Sequence, residues 1–365
     1  MSLRCGIIGI ANVGKTTIFN CMSNTKAETS NFAFTSNKSN MGVIHVPDQR
    51  LYELEKLQPT DKVVPATVEI LDIPGLTKGA SQGEGVGNKF LTDIRNADAL
   101  VHVLRCFDDD TLPHIEGSVD PLRDIETLDF ELQVKDLESV EKKLERIEKL
   151  VKTGDKEAKQ GREALLKVKA HLESFGNVRD LSLDEAEART IDDLFLLTAK
   201  PVMFVCNVND EAAVKGNDYS KRVAEYLADR NNEHLVIAAR LEAEIADFED
   251  ESDRMEFLSD AGLTEPGVNR MIRSAYSLLN LLSFFTVGPK EIRAWSIHKG
   301  MTAPQAAGVI HSDLERGFIR AEVIKYDDFI GLGSEHSCKE KGKLYIEGKN
   351  YVVEDGDILH IRFNV

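Results

Sequence analysis

Long apolar runs are missing from this chain. No stretch of 18 apolar residues occurs, which excludes a membrane-spanning helix as an expectation and leaves no membrane partner to seek. Cysteine is scarce: Cys5, Cys21, Cys106, Cys206 and Cys338 are far apart and none forms a C-x-x-C pair. That spacing argues against a disulfide framework or a zinc site and predicts free thiols in a reducing compartment. The first residues enter a strand pattern at once, so no secretory signal is expected and a cytoplasmic location follows. Positive charge is short too: 45 Lys and Arg face 62 Asp and Glu, a net charge of −17. Such a balance opposes binding nucleic acid with the whole surface. It does not apply everywhere. Residues 135–172 hold eleven basic residues against eight acids, whereas residues 241–265 hold ten acids against Arg254 alone.

What is present begins at the amino end. The 365 residues suffice for two or three domains, and 42% hydrophobic with 29% charged is ordinary for a globular chain. The run Cys5–Ile10 reads as a strand, and Gly9, Gly14, Lys15 and Thr16 then fit G-x-x-x-x-G-K-[ST]. Ile18 and Phe19 follow at helical spacing. Strand, glycine turn and helix start together form a phosphate cradle. Backbone N–H groups of residues 12–16 are expected to face phosphate oxygens. Lys15 is expected to reach the β- and γ-phosphates and Thr16 to bind Mg²⁺. A hydroxyl in the polar stretch 25–40, Thr35 or Ser36, is placed to supply a second Mg²⁺ ligand. The strand Ala66–Ile73 ends in Asp72-Ile-Pro-Gly75, a D-x-x-G lying 57 residues beyond Lys15. Asp72 would hold Mg²⁺ through water and the Gly75 N–H would sense the γ-phosphate.

Where many GTPases place a water-orienting glutamine, this chain has Leu76. Gln82, His102 and His114 are the polar candidates for that task. His102 lies in an apolar run, and His114 lies in a polar loop and is preferred. Further on, Pro201–Asn207 and Leu235–Ala239 read as buried strands. The first ends in Asn207-Val208-Asn-Asp210, against the guanine-reading pattern N-K-x-D. Asp210 keeps the carboxylate while Val208 replaces the lysine, so adenine and guanine both remain open.

Between these strands the period changes. Leu137, Val140, Leu144, Ile147 and Val151, then Leu165, Val168, Leu172 and Phe175, recur at three and four around a break at Gly154-Asp155. This predicts two antiparallel helices along an apolar seam. It is read either as an arm presenting charge to a partner or as an ordinary helical layer. After residue 280, strand patterns at 290–298, 318–326 and 358–363 surround a helix at 303–311, a small α+β grasp-like unit. Arg316, Arg320 and Lys325 on it are candidates for RNA phosphate or simply a solvated face.

The motifs Gly9-x-x-Asn12-Val13-Gly14-Lys15-Thr16, Asp72-Ile-Pro-Gly75 with a hydrophobic residue after it, Gly83-Glu-Gly-Val-Gly-Asn-Lys-Phe90, Asp120-Pro-Leu-Arg-Asp-Ile-Glu126 and the final Phe-Asn-Val365 closely resemble the YchF subfamily of Obg-like P-loop ATPases, over essentially the whole chain. The resemblance implies an α/β Ras-like P-loop NTPase domain over 1–124 and 200–280. It also implies an inserted antiparallel helical coiled-coil arm over 125–199 and a ubiquitin-like TGS domain over 281–365. It implies ATP as substrate, Mg²⁺ as cofactor, K⁺ as a second cation, and the ribosome's large subunit as partner, with rRNA or tRNA contacts and a monomeric protein. Asn12 to Thr17 (Asn12, Val13, Gly14, Lys15, Thr16, Thr17) then match the phosphate-binding run. Thr16 and Ser36 match the Mg²⁺ positions, Asn12 the K⁺ position, and Val208 beside Asn207 the adenine contact. Ala238–Arg240, with Ala239 at its centre, matches the last base-side loop, and His114 a catalytic histidine. Departures are Ala11 for proline, Ser36 for threonine and Asp210 for glutamate. The last keeps a GTPase of the same fold as the alternative. A nucleotide-gated adaptor whose hydrolysis is incidental is the non-enzymatic one.

Overall fold

Short apolar stretches with nothing to alternate against, Ala99–Arg105 and Val202–Asn207, read as strands buried on both faces. That is the pattern of a parallel sheet covered by helices. In the computed structural model, which describes residues 3–23, 40–75, 86–230 and 232–364, they belong to one. Its strands are β1 (Arg4–Ile8), β2 (Asn40–His45), β4 (Thr67–Asp72), β5 (Ala99–Arg105), β6 (Val202–Asn207) and β7 (His234–Ile237), in the order β2-β4-β1-β5-β6-β7; β3 (Val63–Val64) belongs elsewhere. β4, β1, β5, β6 and β7 pair in parallel. Their carboxyl ends therefore open on one edge, where such sheets bind ligands.

The chain divides into two compact units: residues 1–42 with 69–271, and residues 43–68 with 272–365. In the first, helices α1 (Lys15–Ser23), α3 (Val86–Arg95), α7 (Asp218–Leu227) and α8 (Ala239–Asp247) connect the strands. Ile8, Leu104, Phe90, Phe204, Leu128 and Leu241 lie in one core cluster. The insertion is a helical hairpin of α4 (Pro121–Val151) and α5 (Lys156–Glu173). Asp120 caps α4 through the Leu122 N–H, with Pro121 at its first turn, and Asp155 caps α5 through the Ala158 N–H. Val140, Leu165, Val168 and Leu172 close the seam as the spacing predicts. Phe175 departs from it. The helix ends at Glu173, and Phe175 stands 71% exposed at φ +60°.

One buried carboxylate ties the hairpin to the returning chain. Asp136, fully buried on α4, accepts from the N–H groups of Leu197 and Thr198 at 2.8 and 2.7 Å and from Thr198 Oγ1 at 2.7 Å. Burial raises its pKa despite these donors. Three donors gathered on one side chain stabilise the return.

The second unit is built on β8 (Leu281–Val287), β9 (Ile292–His298), β10 (Phe318–Ile324), β11 (Leu344–Glu347) and β12 (Ile358–Phe363), in the order β11-β10-β12-β8-β9-β3. A helix over Ala303–Ile310 covers it with Ala303, Ala306 and Ala307 against Phe284 and Leu359. This is the strands-around-one-helix arrangement that the sequence implies. Its last strand comes from far away. Val63 and Val64 pair in parallel with Ile292 and Arg293, and the Ile292 N–H donates to Lys62 O at 2.9 Å. Helix α2 (Gln49–Leu57) joins the same unit: Arg50 meets Asp355 at 2.6 Å with its guanidinium over the Phe285 ring, and Glu53 accepts from the Tyr326 hydroxyl. Helix α2 and strand β3, grouped by sequence with the nucleotide domain, thus fold with the carboxy-terminal residues. No helix among the described residues is long and apolar enough to cross a membrane.

Replacing Asp136 by alanine should lower the unfolding free energy by about 3 kcal/mol, since three buried donors lose their acceptor. Urea denaturation followed by helical circular dichroism measures this. A loss under about 1 kcal/mol would show that water or a rearranged side chain takes the carboxylate's place.

Candidate nucleotide-binding site

The site grows from the glycines after β1. Gly9 sits at φ +148°, where a Cβ would fall 2.5 Å from Val103 O. Gly14 sits at φ +96°, where a Cβ would fall 2.4 Å from Asn207 Nδ2. Neither place admits a side chain, so the loop turns where the sequence puts its glycines. Asn12 between them is also left-handed, at φ +64°. Helix α1 then starts at Lys15, with the Ile18 N–H bonded to Gly14 O. Thr16 and Thr17 are exposed at its mouth. A first turn with open N–H groups and a favourable dipole suits an anion.

Lys15 is 7% exposed, and its Nζ donates to Gly9 O at 3.2 Å and Ile10 O at 2.6 Å. Burial lowers its pKa to about 8, against the opposing pull of Asp72. At neutral pH the ammonium is still charged, and it is thinly solvated, so a phosphate gains more from it than from a surface lysine. Thr16 Oγ1 donates to Asp72 Oδ2 at 3.0 Å. The β1–β4 register, with Ile7 opposite Asp72, brings together these two residues 56 positions apart. Burial raises the Asp72 pKa, while Thr16 and Lys15 counter it. Two hard oxygen donors beside an anion site fit Mg²⁺, which takes few protein ligands and fills its shell from phosphates and water. Gly75 packs against the loop, since a Cβ there would lie 3.0 Å from Ala11 Cα and 3.1 Å from Lys15 Nζ. Ser36, Thr35, Leu76 and Gln82 lie outside the described residues.

The loop after β5 carries His114. It is pinned by Arg105, a buried guanidinium that donates to the carbonyls of Phe107, Asp109 and Leu112 at 3.1, 3.2 and 2.8 Å. The loop is tied to the phosphate loop where Asn12 Nδ2 donates to Pro113 O at 3.2 Å. The His114 side chain is only 3% exposed. Its Nδ1 accepts from the Glu116 N–H at 3.1 Å, and its Nε2 lies 3.2 Å from Asp124 Oδ2. The polar loop therefore brings His114 next to the cradle, but with both ring nitrogens occupied. His102 is a core residue on β5. Burial lowers its pKa to about 4, and its Nε2 has no hydrogen-bond partner, so it is neutral and sealed from solvent.

On the far side, Asn207 is spent on the protein itself. Its Nδ2 donates to Val13 O at 2.9 Å and its Oδ1 accepts from the Ala239 N–H at 2.9 Å. It thereby braces the phosphate loop against the loop after β7. The Val208 side chain is buried in the core cluster, and its N–H donates to Ile237 O. Asp210 in the same turn is partly buried, and Arg240 meets it at 2.8 Å. Sequence reasoning gave Arg105 no role, although a lone charge closing a buried apolar strand was its signal; Asp124 entered only within the motif Asp120–Glu126, and Arg240 only as the end of the base-side loop.

Residues 4–160 match the family model described as "50S ribosome-binding GTPase". Residues 281–364 match the carboxy-terminal model of YchF GTPases, described as "Protein of unknown function (DUF933)". The chain is 47% identical over 365 residues to the protein named "Ribosome-binding ATPase YchF" of Haemophilus influenzae, and 46% identical over 367 residues to that of Bacillus subtilis, covering all of each. The solved Schizosaccharomyces pombe YchF GTPase superposes with a TM-score of 0.87 at 34% identity, over 99% of this chain and 98% of that one.

The Lys15 pKa sets a pH test. Below about 8 the group is charged in the free protein and adds nothing to the pH dependence of triphosphate binding; above it, the proton must be restored for the anion to be held. Affinity for a nucleoside triphosphate is expected to be flat towards lower pH and to fall by up to about tenfold per unit above pH 8. Lys15→Ala should bind more weakly and lose that slope, as read by calorimetry across pH. A slope that survives the substitution would place the titrating group elsewhere.

Proposed function

The chain belongs to the YchF family, and from that premise we propose that it binds ATP with Mg²⁺ on the loop Gly9–Thr16, hydrolyses it to ADP and phosphate, and uses the exchange as a switch on the ribosome. The observation that carries this reading is the convergence of buried, charged Lys15 with the Thr16–Asp72 pair at the opening turn of α1. Thr16 and Asp72 would hold Mg²⁺, with Ser36 as a further ligand. Mg²⁺ when bound neutralises charge on the β- and γ-oxygens. Lys15 adds a fixed positive charge on the same oxygens, and the N–H groups of residues 12–16, with Thr17 after them, bind and orient the chain of phosphates. Gly75 reports the last phosphate to the residues that follow. Asn12 offers its Oδ1 to K⁺, since its Nδ2 is committed to Pro113.

His114 is the residue proposed to orient the attacking water in place of the missing glutamine. Its loop is joined to the cradle through Asn12, and Asp124 holds the ring with a defined tautomer: Nδ1 accepts, so Nε2 carries the proton. To act, the ring must exchange Asp124 for the water.

ATP is preferred over GTP on the evidence of the base-side turn. A guanine reader needs a free carboxylate at Asp210 and a lysine stem at 208. Here Arg240 occupies the first and a buried valine replaces the second. Asn207, Val208 and Ala239 then shape the base pocket. The finer assignments rest on family membership alone: the large subunit, rRNA or tRNA contact, a TGS domain over 281–365, a monomeric working form and a cytoplasmic location.

Competition between ATP and GTP tests the base assignment. ATP is expected to bind more tightly, and Arg240→Ala should move the ratio towards GTP by up to about fivefold, the worth of an exposed ion pair. Tighter GTP binding by the unaltered protein would reverse the assignment. For the water, His114→Ala should cut kcat about tenfold or more while the ATP Kd stays within about twofold. An unchanged kcat would move the role to another group.

A further inference from the structure

At the base of the helical hairpin the first unit carries an open cleft of about 800 Å³ that the nucleotide site does not use. Three stretches build it. Glu126, Phe130 and Gln133 recur at four and three on α4 and so share one face. Phe175 to Asp180 follow the end of α5, and Tyr226, Asp229 and Arg230 end α7 and the turn after it.

The floor is a closed polar chain. Gln133 Nε2 donates to Asn177 Oδ1 at 2.9 Å and to Phe175 O at 3.1 Å, and Asn177 Nδ2 donates to Asp129 Oδ2 at 2.8 Å. Asp129 Oδ1 takes Arg179 at 3.0 Å. Arg230 stands over the Tyr226 ring at 4.3 Å. Arg179 is held through its terminal nitrogens by Asp129 and Thr198 O, while its buried Nε has no partner among the described residues. The exposed carboxylates Glu126, Asp180 and Asp229 have no hydrogen-bond or ion-pair partner among the described residues.

Beside these carboxylates stand two phenylalanines that a lone chain would hide. Phe130 is 47% and Phe175 71% exposed, with ring centroids 6.1 Å apart. Phe175 also holds φ +60°, which a bulky residue rarely adopts. It is followed by Gly176, where a Cβ would lie 2.3 Å from His171 Nε2. The left-handed turn ends α5, with the Gly176 N–H donating to His171 O at 3.0 Å, and it leaves the Phe175 ring outward beside negative charge.

The geometry points to a docking site for a basic segment of a protein partner. An arginine or lysine side chain enters with its charge among Glu126, Asp180 and Asp229 and its aliphatic stem against Phe130 and Phe175. Aromatic faces and carboxylates both favour a cation. Four carboxylates, Glu126, Asp129, Asp180 and Asp229, outnumber Arg179 and Arg230 in the lining, so the net charge disfavours a nucleic-acid phosphate.

The test uses a fluorescein-labelled arginine-rich peptide and the full-length protein in about 0.15 M salt, where charges beyond about 8 Å are screened. Saturable anisotropy is expected. Phe130→Ala with Phe175→Ala, and separately Asp180→Asn with Asp229→Asn, should each weaken binding about tenfold. Glu251→Gln with Glu256→Gln makes the same change in net charge on a distant helix and should leave the affinity unaltered. ATP affinity should stay the same in every variant, which separates this site from the nucleotide reading. Absence of saturable binding overturns the proposal. So does an equal loss in the distant pair, or an oligouridylate that binds in a manner abolished by the phenylalanine substitutions.

Discussion

The amide of Asn207 is the interaction on which the site depends. One end holds Val13 O and the other holds the Ala239 N–H, so a single side chain spans the phosphate loop and the loop after β7. The fully buried strand β6 delivers it there, between neighbours paired in parallel on both sides. Gly14 must be a glycine because this amide lies against it. A primary amide has one strong acceptor and two donors in a rigid plane, and here both ends are used. Aspartate would lose the donor towards Val13, and leucine would lose both bonds.

The same logic of buried polar groups recurs away from the site. Arg105 gathers three carbonyls beneath the His114 loop, and Asp136 gathers three donors at the foot of the hairpin. In the second unit Lys325 gathers Tyr351, Glu354 and buried Asp357 at 2.8, 2.9 and 2.7 Å. Each is a charged group with three hydrogen bonds to neighbouring chain, and for buried Arg105 and Asp136 such bonds are the condition under which burial of charge is tolerated. They fix loops that no apolar core could fix, because loops present carbonyls and amides.

Much of this was legible in the sequence where geometry is written in residue type. The glycines of the cradle, the D-x-x-G at the end of β4 and the strand over Ile358–Phe363 stand where the pattern placed them, because turns and buried strands admit few residues. The seam of the hairpin follows its three-four spacing for the same reason. Other features had no local signal. A two-residue strand at Val63–Val64 is too short to show a period, so its place beside β9 in the second sheet was invisible. Phe175 continued the helical spacing after the helix had stopped. His114 looked free because its loop is polar; its partners, Asp124 and the Glu116 N–H, are set by tertiary packing. The Arg240–Asp210 pair spans two loops, and pattern reading of either alone does not reveal it.

The far-travelled strand β3 and helix α2 bear on how the molecule can be dissected. Leu51 and Leu54 are almost wholly buried, and Arg50 is bound to Asp355 in the same unit. Truncation after residue 280 would leave α2 and β3 with raw apolar surface and an open sheet edge. The amino-terminal fragment that sequence boundaries suggest is therefore not a self-sufficient folding unit, and a gene fusion that swaps the carboxy-terminal module must carry α2 and β3 along with it.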